Sequence, residues 1–234
     1  MESLIELDRS LLLALNGSDS AFLDNFMWMV SMTWPWIPLA VAFLMLVVHN
    51  SSHRQALMLI GFFLLSILLA DQVSSSIVKP LVARPRPTHD PVIAEMVDVV
   101  NGYRGGLYGF FSSHAANTFA IASFVTLTVR NRFLSISLYV WALLSSYSRI
   151  YLGVHFPGDI LCGMLFGSFV GWACYAMYIH YATKGLPFVV IYNRRRWTFS
   201  HTLTRTGFRL AEVRIVASVF WITLAFIVIY AICA

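Results

Sequence analysis

Residues 56–78 read ALMLIGFFLLSILLADQVSSSIV, with Asp71 as the one charged residue. A bilayer core needs about 20 apolar residues per helix. Inside it only a helix or a closed barrel satisfies every backbone group. The stretch is therefore expected to be a membrane-spanning helix. Working outward, five further apolar runs lie near residues 27–48, 112–129, 134–152, 157–183 and 213–233. The expected fold class is all-α, a polytopic membrane protein with six transmembrane helices.

Composition agrees. Of 234 residues, 59% are hydrophobic and 12% charged, against about 25% charged in a soluble domain. Mean hydropathy is +0.73. Residues 1–234 are read as one domain, with 1–25 an interfacial helix and linker and 26–234 the six-helix bundle. In residues 3–15, Leu4, Ile5, Leu11, Leu12 and Leu15 are expected on one apolar face, with Glu6 and Arg9 off it. Such a helix lies on a membrane surface. Asn16-Gly17 is its stop signal. The acidic start, Met1-Glu2-Ser3-Leu4-Ile5-Glu6, lacks the basic region of a cleavable signal.

The formal net charge is +5. Its distribution points to membrane topology and away from nucleic acid. Ten of the sixteen basic residues follow runs one, three and five: Arg54, Arg130, Arg132, Lys184, Arg194, Arg195, Arg196, Arg205, Arg209 and Arg214. The positive-inside rule places those connections in the cytoplasm. The termini and the loops after runs two and four then face outward. Arg194-Arg195-Arg196 reads as an anchor on anionic headgroups.

Other residues have ordinary readings. Cys162, Cys174 and Cys233 fall in apolar segments and lack metal-ligand spacing. Trp28, Trp34, Trp36 and Trp197 suit interfacial belts. Gly163, Gly167 and Gly171 recur every four residues, a stripe that lets a second helix approach. His49, His53, His89, His180 and His201 read as interfacial residues. Asp71 is expected either to pair with Arg84 or to support a site from behind.

The remaining polar residues converge. Lys79 to Pro87, Phe111 to His114, Ser148-Arg149 and His155 to Asp159 all fall at ends of runs that alternating topology brings to one surface. Lys79, Arg86 and Arg149 offer three cations, and guanidinium forks match phosphate oxygens. Ser112 and Ser113 suit a helix start, where free backbone N–H groups attract an anion. Pro157 suits a first helical turn, so Asp159 can orient His155 from inside that turn. That fixes the tautomer and makes the other ring nitrogen of His155 the nucleophile. His114, across the phosphate, can protonate the leaving oxygen and then deprotonate water. Cationic side chains supply the charge stabilisation, so no metal and no cofactor is required.

These segments resemble the type-2 phosphatidic acid phosphatase superfamily, whose motifs run roughly K-x6-R-P, P-S-G-H and S-R-x5-H-x3-D. Lys79 to Arg86-Pro87 matches the first, and Ser148-Arg149, His155 and Asp159 match the third. The second is Phe111-Ser112-Ser113-His114, with Phe for Pro and Ser for Gly. The resemblance implies a phosphohistidine on His155, with His114 as acid and then base. It implies a phosphate clamp of Lys79, Arg86, Ser112, Ser113 and Arg149. It also implies a metal-independent hydrolase sensitive to vanadate. The expected setting is a bacterial cytoplasmic membrane, with the site facing the periplasm or exterior. The expected partners are a lipid phosphate and the bilayer, with no obligate protein partner. Undecaprenyl diphosphate is the first expectation for the lipid. Phosphatidylglycerol phosphate and the 1-phosphate of lipid A come next. A non-catalytic lipid-binding or transport protein with a degenerate site is the reading of another class.

Overall fold

The computed structural model describes residues 2–183 and 202–234. Lys184, Arg194, Arg195, Arg196, Trp197 and His201 lie outside the described residues, and with them the basic anchor. The described residues are helical, with connecting loops. They open with α1 (Glu2–Leu15), α2 (Ala21–Ser31) and α3 (Ile37–Asn50). Next come α4 (His53–Gln72), a π-helical stretch (Val73–Val78) and the short α5 (Lys79–Val82). The chain continues with α6 (Ser113–Val129), α7 (Arg132–Tyr151), α8 (Pro157–Thr183) and α9 (Leu210–Cys233).

Among the described residues, three continuous helices are long and apolar enough to cross a membrane: His53–Val82, Pro157–Ala182 and Leu210–Cys233. The pair Ala21–Ser31 and Trp34–Asn50 makes a fourth if counted as one span, although it bends by 64°. The expected single run at 27–48 is thus two helices. The break lies at Met32-Thr33, where Met32 turns extended, and Pro35 sits in the first turn of the second helix, the position where a missing N–H costs nothing. The first of the two also begins earlier than expected, inside the assigned linker, at Ala21. Ser20 caps it there by accepting from Leu23 N at 3.4 Å.

The six-span count is not reproduced by length and apolarity. Helices α6 and α7 have 17 and 20 residues and carry many hydroxyl side chains. Their positions explain that composition. Helix α6 packs most extensively on α8 and also contacts α7 and α4. A helix enclosed by other helices needs small and hydrogen-bonding residues more than lipophilic ones. Gly163, Gly167 and Gly171 form the α6–α8 seam, as the stripe predicts. A Cβ at Gly163 would lie 2.6 Å from Ser112 O, and one at Gly171 2.5 Å from Ala120 O. At Gly167 it would run into the Ala116 carbonyl.

Two expectations need correction. Leu12 does not share the apolar face of α1. It is fully buried against Ile93, Val97, Ala115, Ile150, Phe156 and Ile160. Leu4, Ile5, Leu7, Leu11 and Leu15 are exposed. Helix α1 therefore docks on the protein by one side and presents leucines on another. Trp36 is not an interfacial anchor either. It is buried between Trp141 and Phe220, and its indole N–H donates to Val30 O at 3.0 Å. Cys174 is buried and Cys162 partly so, while Cys233 is exposed near the end of α9.

Candidate active site

The loop between α5 and α6 shapes one end of the bundle. Residues 84–86 pair with 107–109 through Arg86 N to Leu107 O at 3.0 Å and Gly109 N to Arg84 O at 2.9 Å. This short ladder turns the Arg86 side chain inward, where it is 9% exposed. Its Nε donates to Tyr108 O at 3.1 Å and its Nη1 to Val154 O at 3.4 Å. Gly105 and Gly109 leave the room: a Cβ on the first would lie 2.6 Å from Arg86 Nη1, and one on the second 2.9 Å from Asp159 Oδ2.

The cations expected from sequence meet at this end. Lys79 Nζ donates to Ser113 Oγ at 2.7 Å, and Ser75 Oγ lies 2.9 Å from the same oxygen. Ser75 belongs to the π-helical stretch, where the wider turn changes the phase between α4 and Lys79. Arg149, 4% exposed, donates from Nη2 to Tyr103 Oη at 3.2 Å. Its buried Nε has no hydrogen-bond partner among the described residues. A buried, unsatisfied guanidinium N–H is costly unless a ligand completes it. Burial, and then the like charge of Arg149, hold Arg86 below the usual arginine range. A cluster of this kind favours an anion between its members.

Ser112 is the N-cap of α6, as expected, accepting from Ala115 N at 3.4 Å. Its own N–H donates to Asp159 O at 3.1 Å, which ties the start of α6 to the first turn of α8. His114 stands in the first turn of α6. His155, 1% exposed, precedes α8, and its Nδ1 is 3.4 Å from Asp159 Oδ2. The same carboxylate oxygen accepts from Phe156 N at 3.1 Å. Burial pulls His155 well below 6.5, helped by Arg86, Arg149 and Lys79 and opposed by a backbone hydrogen bond to Gly109. The imidazole is therefore neutral, the form a nucleophile requires.

All eight residues expected at the site thus gather at this end. Of the other described histidines, His89 lies in the site loop itself, in the 3₁₀ turn Pro87–His89 directly after Arg86, with its Nδ1 3.1 Å from Thr88 Oγ1. His49 near the end of α3, His53 at the start of α4 and His180 near the end of α8 lie at the other end of the bundle. Asp71 is not the partner of Arg84. It accepts from Asn117 Nδ2 at 3.2 Å and from Gln72 Nε2 at 3.4 Å. Arg84 instead donates from Nη1 to Asp159 Oδ1 at 2.9 Å and from Nη2 to Asp8 Oδ2 at 2.6 Å. Its guanidinium also lies 4.1 Å from the Phe156 ring centroid. Sequence reasoning missed Asp8, Tyr103 and Gly109. Nothing local marks Asp8 or Tyr103, whereas Gly105-Gly106 and Gly109 at least signal a close backbone approach. Among the described residues, no group of three His, Cys, Asp or Glu side chains is placed to hold a metal ion.

Comparison with known proteins fits this geometry. Residues 57–182 match the model of the PAP2 superfamily. The chain belongs to the PAP2 superfamily. It is 40% identical over 186 residues to the lipid A 4'-phosphatase of Porphyromonas gingivalis, covering 80% of this chain and 79% of that one. It is 42% identical over 176 residues to the lipid A 4'-phosphatase of Bacteroides thetaiotaomicron, covering 75% and 78%. In fold, this PAP2 chain resembles the crystal structure of a transmembrane PAP2-type phosphatidylglycerolphosphate phosphatase from Bacillus subtilis. There the TM-score is 0.57 at 21% identity, over 80% of this chain and 90% of that one. The PAP2 chain is accordingly a bacterial membrane lipid phosphatase, a hydrolase of phosphoester bonds. The non-catalytic transport reading falls with that assignment. The expectation of undecaprenyl diphosphate as first substrate gives way as well, because the relatives point to lipid A dephosphorylation.

Proposed function

We propose that this PAP2 phosphatase removes the 4'-phosphate of lipid A through a phosphohistidine on His155. The observation that carries the substrate is the similarity to two lipid A 4'-phosphatases over at least three quarters of the chain. The clamp chemistry alone fits any phosphate headgroup, so it supports the reaction type and leaves the lipid to that similarity.

In this reading the phosphate lies among Lys79, Arg86, Arg149 and the start of α6 at Ser112 and Ser113. Arg149 Nε, buried without a partner, is the donor most in need of a phosphate oxygen. Neutral His155 attacks phosphorus with Nε2 while Asp159 holds Nδ1. The bond from phosphorus to the sugar oxygen breaks, and His114 gives that oxygen its proton. Water then attacks the phosphohistidine, His114 takes back a proton, and inorganic phosphate leaves. The clamp stabilises the charge on the equatorial oxygens in both steps.

We place the site at the periplasmic face of the cytoplasmic membrane, with α6 and α7 crossing as the enclosed members of a six-span bundle. The basic connections at the other end support that orientation. The exposed leucines of α1 would rest in the headgroup layer beside the site.

Purified enzyme in detergent tests the assignment. Phosphate release is compared on lipid A, phosphatidylglycerol phosphate and undecaprenyl diphosphate, and the lipid A product is mapped by mass spectrometry. Loss of the 4'-phosphate from lipid A, at the highest kcat/KM of the panel, is expected. A clear preference for undecaprenyl diphosphate, or loss of the 1-phosphate alone, would defeat the proposal.

A further inference from the structure

When His155 bonds to phosphorus its ring gains positive charge, and Asp159 is the carboxylate in contact with it. The usefulness of Asp159 depends on its net field. Its Oδ1 is 2.9 Å from Arg84 Nη1, and its side chain is fully buried. A carboxylate paired with a guanidinium is close to neutral seen from outside. Arg84 and Asp159 alone would therefore offer His155 little charge stabilisation.

Helix α1 corrects that balance. Asp8 Oδ2 lies 2.6 Å from Arg84 Nη2, on the opposite arm of the same guanidinium. The set Asp8, Arg84 and Asp159 then carries one net negative charge, and the Asp8 side chain is only 14% exposed. The second oxygen of Asp8 accepts from Gly158 N at 2.8 Å, one of the open N–H groups at the start of α8. Both oxygens are thus committed to the site. Gly158 leaves the needed space, because a Cβ there would lie 2.8 Å from Asp8 Oδ2. The position of α1 is fixed on either side: Leu12 is buried one turn on, and Arg9 bridges Asp90 at 3.0 Å.

We infer that Asp8 is a positioning residue for the reaction: it neutralises Arg84, so that Asp159 retains the negative charge that stabilises His155 during phosphoryl transfer. The inference rests on His155 being the nucleophile. It makes the N-terminal helix part of the catalytic apparatus without touching substrate. A purely structural role, in which Asp8 merely pins α1, predicts different outcomes.

The test uses full-length enzyme in detergent and a lipid A substrate. Asp8→Asn keeps an acceptor for Gly158 N and removes the charge. It should lower kcat about 10- to 100-fold, the scale seen when an outer partner of a reacting group is lost, with KM little changed. Adding Arg84→Gln removes the charge that Asp8 had balanced. The double variant should regain at least about fivefold in kcat over Asp8→Asn, a coupling that a mere pin does not produce. A double variant no faster than Asp8→Asn overturns the inference, as does a wild-type kcat in Asp8→Asn. If Asp8→Asn is not monodisperse, the double variant decides alone: kcat within about twentyfold of wild type supports charge balance, and a larger loss overturns it. Trapping the wild-type phosphoenzyme separates the two levels. Label elsewhere than His155 defeats the underlying reading, whereas label on His155 with an unaffected Asp8→Asn defeats the inference alone.

Discussion

The two ends of the helical bundle hold arginines in opposite ways. At the end formed by Lys79, Ser112, Arg149 and His155, Arg149 is 4% exposed and Arg86 9%. There Arg84 bonds two carboxylates at 2.6 and 2.9 Å. At the other end, Arg209 has a side chain 67% exposed and reaches Glu212 at 3.4 Å. Arg130, also exposed, bonds Leu127 O and Tyr175 Oη at 3.3 Å. In the proposed reading, the same residue type serves chemistry in one place and topology in the other. What separates them is desolvation. A charge held away from water acts strongly on its neighbours, while one in water is screened.

The most severe way to break the comparison is at the nucleophile. His155→Ala should reduce turnover by about 10⁴-fold or more, the scale of losing a nucleophile. Radiolabelled substrate should then yield no phosphoenzyme, and retained turnover would show that the buried end has been misread. Next in size is the clamp. Arg149→Ala should cost about 10²–10³-fold in kcat, as for one oxyanion-type donor. Arg149→Lys should recover little of it, since a point charge cannot replace the fork. Full activity in the lysine variant would make the geometry at Tyr103 and Nε irrelevant.

Acidity gives a gentler probe. His155 is held well below 6.5, so its neutral form persists as pH falls through that value and is lost only lower. The acid limb of kcat/KM due to His155 should therefore lie below pH 6.5, with less than about a twofold drop between pH 7 and 6 from this group. A limb centred at or above 6.5 that the rate of phosphoenzyme formation follows would contradict the burial. The smallest effects belong to the exposed end. Arg130→Ala and Arg209→Ala should each shift stability by no more than about 0.5 kcal/mol and leave kcat/KM unchanged. A loss comparable to that of Arg149→Ala would erase the distinction between the ends.

Much of this was legible in sequence because it depends on local rules. The spans near 56–78, 157–183 and 213–233 follow from apolar length, and the start of α6 follows from a capping serine. The meeting of the eight candidate residues at one end follows from charge and histidine placed at span ends. What escaped depends on tertiary facing. A hydropathy window averages over Met32-Thr33, so the 64° bend is invisible to it. The periodicity of α1 shows that leucines cluster, yet it cannot say which of them meets protein, and Leu12 turned inward. Asp8 and Arg84 are 76 positions apart, and no local pattern joins them. Of the two expectations for Asp71, pairing with Arg84 fails because the fold gives Asp71 a neutral amide from Asn117.

The glycine seam between α6 and α8 has a consequence for genetics. At Gly163, Gly167 and Gly171 the opposing atoms nearest an added Cβ are backbone carbonyl oxygens. A clash with a side chain can be relieved by trimming that side chain through a second mutation. A carbonyl cannot be trimmed. Defects at these three positions therefore have no suppressor at the point of contact. A saturation library of α8 should show three intolerant columns four residues apart, beside permissive ones at the exposed Leu161, Leu165 and Phe169.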